Sequence, residues 1–225
     1  SAGEGFAFGG SLNLLAGFEN DGEETEARLE SVLGAWLRTG FGPFTLFLQG
    51  SVENTLERSY LIDVDAAKFS GRFPGFPDRD MEFLFDAGRF AFSDFTGFIL
   101  NDTADGLRLA WHFPFTTLTV EAGWFGFVIK PNTAVLLSQS DAVDSVTEDV
   151  YYTPRRLFET LSLQVPEAFL SHDLRLAWMA QQDLRRSGDF AEPGDRVNTF
   201  YAGAGLEGSF FPGVFHDVFA FWCLG

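Results

Sequence analysis

The sequence predicts an all-β fold of about eleven antiparallel strands in up-and-down order, and three observations support this prediction. Apolar and polar side chains alternate with a period of two through most of the 225 residues, which is typical of strands with two unlike faces. No segment has a convincing amphipathic helix pattern. Short and long connections alternate nearly throughout the chain, which indicates that the strands are antiparallel neighbours.

The first strands carry the clearest alternation. The segments 5–15, GFAFGGSLNLL, and 28–38, RLESVLGAWLR, each place apolar side chains at most of their alternate positions. In the segment 44–58, FTLFLQGSVENTLER, Phe47 is the only apolar residue on the polar side. A weaker candidate follows at 59–65, SYLIDVD. These four segments predict the first four strands.

Seven further strands follow the same pattern. One is a weaker candidate, DMEFLFDAGR at 80–89, and in another Glu159 interrupts the apolar side. The last is apolar at nearly every position. The six after 80–89 are GLRLAWHF at 106–113, TTLTVEAGW at 116–124, RLFETLSLQV at 156–165, DLRLAWMAQ at 173–181, TFYAGAGLEG at 199–208 and FHDVFAFWCLG at 215–225.

The connections sort into two classes. Short ones occur at 40–43, 113–116, 166–171 and 210–213, and longer acidic or polar ones begin at Glu19, Phe92, Lys130 and Arg185. An up-and-down barrel in an outer membrane has short turns at one rim and long loops at the other. A Greek-key sandwich has no reason to sort its connections in this way.

The apolar side of each strand must contact either a protein core or lipid. Many segments are about nine residues or longer, which is the length of a tilted strand that crosses a bilayer. No apolar run approaches the roughly 18 to 20 residues of a spanning helix. Because a sheet in lipid must pair all its backbone groups, we expect a transmembrane β-barrel in the outer membrane of a bacterium. The alternative is a soluble sandwich or lipocalin-like barrel.

An odd strand number is unusual for such a barrel. Either the segment 59–65 is not a strand, or the chain is part of a longer barrel, and we favour the second explanation slightly. In both cases residues 1–225 are expected to form one β-barrel domain, since no linker-like or low-complexity stretch interrupts them.

Composition excludes several partners and cofactors. The net charge of −17 leaves no basic patch for nucleic acid. Cys223 is the single cysteine, so neither an internal disulfide nor a cysteine-based metal site is possible. We expect outer-membrane lipid and small polar solutes as partners and no cofactor.

A stretch in the middle of the chain resembles outer-membrane porins of the alginate-export and phosphate-porin kind. It runs from Asp86 to Trp111, and the matching residues are Gly88, Arg89, Asp105, Gly106 and Leu107. The resemblance implies a transport barrel whose loop, from Phe92 to Asp105, folds into or caps the pore and is anchored by Arg89 and Asp105. From the residues alone, Arg89 is expected to form charge-assisted hydrogen bonds with Asp94, Asp102 or Asp105 in the interior. The alternative is an ordinary ion pair at a strand end.

Charged residues on the polar sides of the strands are candidates for lining a pore. Interior charges of this kind set the solute preference of a channel, although in a narrow barrel they form a packed network instead. The candidates are Arg28, Glu30, Arg38, Glu53, Arg108, Glu121, Arg175 and Glu207.

Catalysis is not expected. The three histidines, His112, His172 and His216, lie far apart in sequence, and neither G-x-S-x-G nor H-E-x-x-H occurs. The acidic segment 141–149, DAVDSVTED, lacks the spacing of a calcium loop, so no metal site is expected either.

The sequence therefore predicts a passive porin or substrate-specific channel. Two alternatives remain: a plugged surface barrel whose acidic loops bind a host or envelope partner, and a barrel enzyme that acts on lipids or peptides.

Overall fold

The protein is described by a computed structural model that covers residues 5–20, 25–55, 60–129, 141–143, 147, 151–169, 171–186, 196–211 and 213–224. It confirms the all-β class. Within the described residues, eleven strands form one antiparallel sheet in which the spatial order of the strands is their order in the chain. Helix is almost absent from the described residues, and no helical segment among them reaches the length and hydrophobicity that crossing a membrane requires.

Each predicted segment corresponds to a strand, usually a longer one. The segment 59–65 overlaps a strand that extends to Pro74, so the explanation that this segment is not a strand is wrong. The strands are β1 Gly5–Asn20, β2 Thr25–Phe41, β3 Phe44–Thr55, β4 Leu61–Pro74, β5 Glu82–Ser93, β6 Asn101–Phe113, β7 Thr116–Trp124, β8 Arg156–Phe169, β9 His172–Asp183, β10 Thr199–Phe211 and β11 Val214–Leu224.

Four of the connections are only two residues long: 42–43, 114–115, 170–171 and 212–213. Gly42 and Gly213 have φ values of 58° and 85°. A side chain at these positions would be strained, which explains why glycine occupies these turns. Longer connections alternate with them along most of the chain, as predicted; the exception is the seven-residue connection 75–81 between β4 and β5, which stands where a short turn would continue the alternation.

The sheet is open in this structure. Its order begins with β1 and ends with β11, and the described residues contain no pairing between these two strands. Barrel closure is therefore not part of the observed fold. The chain divides into two compact units, Ser1–Ser70 and Gly71–Gly225, which are described separately below as unit 1 and unit 2. That they form a single domain stays a prediction.

In unit 1 the register separates an apolar face from a polar one. Leu12 pairs with Leu33, and Leu33 pairs with Val52, so their side chains share a face. This face is uncovered: Phe8 is 75% exposed and Leu33 is 57% exposed. The predicted candidates Glu30, Arg38 and Glu53 lie on the other face.

In unit 2 two rows of residues cross seven strands on opposite faces. The apolar row is exposed at several positions, including Trp222, which is 65% exposed. It consists of Phe85, Leu109, Val120, Leu161, Trp178, Ala202 and Trp222. The polar row, one residue away on each strand, consists of Asp86, Arg108, Glu121, Thr160, Met179, Tyr201 and Cys223.

The buried core of unit 2 lies on the face that carries the polar row. The rings of Phe92 on β5 and Phe158 on β8 are 5.0 Å apart. Three strand spacings would separate these residues by about 14 Å on a flat sheet. The sheet of unit 2 therefore curls toward this side, which we call the concave face.

Gly123 permits this close packing. A Cβ atom at Gly123 would lie 2.3 Å from Cε1 of Phe158, and Phe158 is itself almost fully buried. We therefore expect Gly123→Ala to lower the free energy of unfolding by about 1–3 kcal/mol through overpacking, measured by urea denaturation in detergent micelles.

The matched control is Gly17→Ala in β1, where nothing lies within 4 Å of the added Cβ. Its effect should stay within about 0.5 kcal/mol, the usual range for a surface substitution. Equal effects of the two substitutions would contradict the packing on the concave face.

Candidate functional site

A row of short side chains crosses the concave face next to the polar row. It consists of Ala110, Thr119, Ser162, Ala177 and Gly203, which are register neighbours on β6 to β10. The side chains of Thr119, Ser162 and Ala177 are too short to fill the space above them, and a cavity of about 260 Å³ lies there. We call this row the cavity floor.

The wall of the cavity is partly aromatic. Phe221 on β11 is the register neighbour of Gly203, and a Cβ at Gly203 would lie 2.3 Å from its ring. Phe221 therefore leans over the glycine and bounds the floor on that side. Arg108, Glu121, Thr160 and Met179 bound it along the polar row.

The β5–β6 loop, residues 94–100, covers the cavity and is held in shape by Asp94. One carboxylate oxygen of Asp94 accepts hydrogen bonds from the backbone N–H groups of Ile99 at 3.0 Å and Leu100 at 2.7 Å. The other accepts one from the N–H of Thr96 at 2.8 Å and one from its hydroxyl. Such bonds to a charged acceptor are stronger than neutral ones. The loop is therefore a self-bonded unit.

The loop extends over the concave face to the far strands. The ring of Phe95 stacks on Phe221 with centroids 5.2 Å apart, and Phe98 stacks on Phe219 at 5.7 Å. The guanidinium of Arg175 on β9 lies 5.2 Å from the centroid of Phe95. The porin resemblance implied a loop that folds over the interior, and this loop does lie over the concave face. That this face lines a pore stays a prediction.

Arg108 contacts the protein through all three of its nitrogens. Its Nε donates to Glu121 at 2.5 Å, its Nη1 lies 3.6 Å from Asp86, and its Nη2 donates to the carbonyl oxygen of Ala91 at 3.1 Å. Its Cζ lies 5.0 Å from the ring centroid of Phe90. The second oxygen of Glu121 accepts a hydrogen bond from Thr160 at 2.8 Å. This ion pair is therefore part of the wall.

Arg175 is paired in a similar way. Its guanidinium forms ion pairs with Glu207 at 3.4 Å and with Asp217. Its Nη1 also lies 3.4 Å from the carbonyl oxygen of Phe95. Arg175 therefore links β9, β10, β11 and the loop.

A buried ionic cluster joins the ends of β8 and β9. Arg156 is 0% exposed and pairs with Asp141 and, at 3.5 Å, with Asp183. Arg185 pairs with the same two carboxylates. Removing one member of such a buried cluster leaves an uncompensated charge, so its role is structural. Sequence reasoning missed it because three of its members fall in or beside predicted loops.

The predicted pore-lining residues can now be placed. Arg108, Glu121, Arg175 and Glu207 share the concave face of unit 2, and the first two border the cavity. Glu30, Arg38 and Glu53 share the polar face of unit 1. Arg28 lies on β2, and its side chain is outside the described residues. A pore-lining role for all eight stays a prediction.

Arg89 and Asp105 pair with each other, which is one of the predicted pairings, and their position in an interior stays a prediction. The two form a bidentate ion pair, with 2.9 Å from Nε to Oδ1 and 2.8 Å from Nη2 to Oδ2. However, they lie on the face opposite Arg108, because position 105 is an odd number of residues from position 108 on the same strand. Arg89 also donates to the carbonyl oxygen of Phe127 at 2.9 Å, so this pair ties β5 to the chain after β7.

Of the other two predicted anchors, Asp94 organises the loop itself, whereas Asp102 accepts a hydrogen bond from the N–H of Thr103 at 2.7 Å. Sequence reasoning also missed Thr119 and Ser162, since hydroxyl side chains on the polar side of a strand carry no special signal.

The histidines do not line the cavity. Nδ1 of His112 lies 3.0 Å from the hydroxyl oxygen of Thr117, and the rings of His172 and His216 are 4.8 Å apart near Gly208. Within the described ranges, no three His, Cys, Asp or Glu side chains form a group that could hold a metal ion. Most of the acidic segment 141–149 lies outside those ranges.

Comparison with protein-family models found no match to this sequence, and comparison with curated proteins found no relative. The resemblance to porins therefore remains the short match around Gly88 and Asp105.

The loop generates a testable prediction. Asp94→Ala leaves the N–H groups of Ile99 and Leu100 without their acceptor, which should cost about 2–4 kcal/mol of local stability. Amide hydrogen exchange of a peptide that spans residues 94–100 should become faster. Asp80→Ala, an exposed position in the β4–β5 connection, is the control and should leave that exchange unchanged. Unchanged protection in Asp94→Ala would contradict the role of Asp94.

Proposed function

We propose that the chain forms the wall of an outer-membrane β-barrel and works as a channel selective for small polar solutes. The observation that carries this proposal is the uncovered apolar face of each unit. Contiguous exposed apolar surface on soluble proteins seldom exceeds a few hundred Å². Here leucine, valine and tryptophan continue from strand to strand in register, as they do on a lipid-facing sheet.

Strand length supports the same proposal. The strands contain 9 to 17 residues, and a tilted strand needs about 9–11 to cross the hydrocarbon core of a bilayer. Backbone groups in lipid must all be paired. The proposal therefore includes pairing of both open sheet edges, within this chain or with further strands.

The concave face supplies the route for solutes. Its charges are held in ion pairs, and its cavity lies beneath a preformed loop. Transport by this route is passive diffusion and needs no covalent chemistry. The loop forms the constriction, because its Phe95 projects over Gly205 on β10.

A specific observation also favours the second candidate, a plugged surface barrel that binds a partner through its acidic loops. The concave face carries a buried cluster that includes Phe90, Phe92, Phe125 and Phe158, and a cluster of this kind can close a narrow barrel completely. The two candidate functions differ in whether the folded protein conducts ions across a bilayer.

The test begins with detergent-folded protein whose migration on a denaturing gel depends on heating, and then measures conductance in a planar bilayer. We expect discrete channel steps. Phe95→Ala should increase the single-channel conductance by about twofold because it removes the ring from the constriction. Phe115→Ala, an exposed position in the β6–β7 turn, is the matched control and should not change it.

Folded, heat-modifiable protein without channel steps would support the plugged barrel instead. Protein that folds as a stable monomer without detergent or lipid would refute the membrane assignment itself.

A further inference from the structure

We infer that the cavity on the concave face takes an uncharged, hydroxyl-bearing solute about the size of one sugar ring, and that it excludes anions. This inference rests on the proposed channel function and specifies its solute class. The volume of about 260 Å³ is below the roughly 300–1,000 Å³ of pockets that hold drug-sized ligands, so the solute is small.

The charged side chains around the cavity disfavour the entry of an anionic solute. An anionic solute needs a cation whose charge is not already compensated. The charge of Arg108 is compensated, because its Nε donates to Glu121, its Nη1 lies 3.6 Å from Asp86 and its Nη2 donates to the carbonyl oxygen of Ala91. Arg175 is likewise held between Glu207 and Asp217. Each of these two arginines therefore faces two carboxylates.

The carboxylate of Asp94 adds a further negative charge at the roof. Taken together, the described residues around the cavity carry more negative than positive charge, in a chain whose net charge is −17. The resulting potential repels anions, since a confined wall of one sign focuses its field into the space it encloses. A neutral solute meets no such barrier.

The floor offers neutral hydrogen-bonding groups. Thr119 on β7 and Ser162 on β8 are direct register partners, and their hydroxyls border the cavity. Neither hydroxyl has a hydrogen-bond partner in the described part of the chain. A hydroxyl both donates and accepts, so this pair suits a solute that presents hydroxyl groups.

The opposite walls are apolar. Ile99 from the loop, Met179 from β9 and Phe221 from β11 face the same space. A ring with hydroxyls at its edge and C–H groups on its face satisfies both surfaces, because its C–H face can pack on the apolar side chains while its edge binds the floor. This combination favours a sugar-like solute over a compact ion.

The test measures swelling of proteoliposomes in isosmotic glucose and in isosmotic glucuronate at pH 7, which differ in charge but little in size. We expect the wild-type protein to admit glucose at least about tenfold faster than glucuronate. Glucuronate permeation equal to or faster than that of glucose would overturn the inference while leaving the channel in place. Folded protein that admits neither solute would instead refute the proposed channel.

Two variants locate the effect. Thr119→Val with Ser162→Ala removes the floor hydroxyls and should slow the permeation of glucose by about threefold or more, whereas Thr103→Val, on the opposite face of β6, should not change the rate.

Asp217→Asn removes one carboxylate from Arg175 and should raise glucuronate permeation by about threefold with little change for glucose. An unchanged glucose rate in the double variant, or an unchanged glucuronate rate in Asp217→Asn, would overturn the assignment. Heat-modifiable migration confirms that each variant is folded.

Discussion

The architecture depends on one geometric constraint: neighbouring side chains along a strand point to opposite faces of the sheet. In unit 2 this constraint places a row from Phe85 to Trp222 on one face and a row from Asp86 to Cys223 on the other, one residue apart on all seven strands. Neither row can be shifted without shifting the other. The polar row therefore always faces the side of the sheet opposite to the medium that covers the apolar row.

On the concave face, side-chain size varies along each strand and divides the surface into levels. Near the long loops, Phe92 and Phe158 fill the space completely. Nearer the short turns, the cavity floor has only alanine, glycine and hydroxyl side chains, and its space stays open. Between them, Arg108 and Glu121 neutralise one another. A compact aromatic level and an open cavity with a hydroxyl-bearing floor can therefore occupy one face.

Much of the fold could be read from the sequence because a period of two is a local signal. All eleven segments, and the positions of the four two-residue turns, follow from positions close together in the chain. Curvature could not be read, because it depends on contacts such as Phe95 with Phe221, which lie 126 residues apart. The position of Asp105 could have been predicted: counting from Arg108 already places it on the other face. The buried cluster of Arg156 and Arg185 carried no local signal.

The loop over the cavity has its polar groups satisfied largely from within, through the carboxylate of Asp94. It touches the far strands mainly through the rings of Phe95 and Phe98. The backbone conformation of the loop thus depends on Asp94, whereas its contact with β11 depends on Phe95 and Phe98. Exchange of either ring would therefore change how the loop contacts β11, while the bonds of the aspartate keep the course of its backbone as it is.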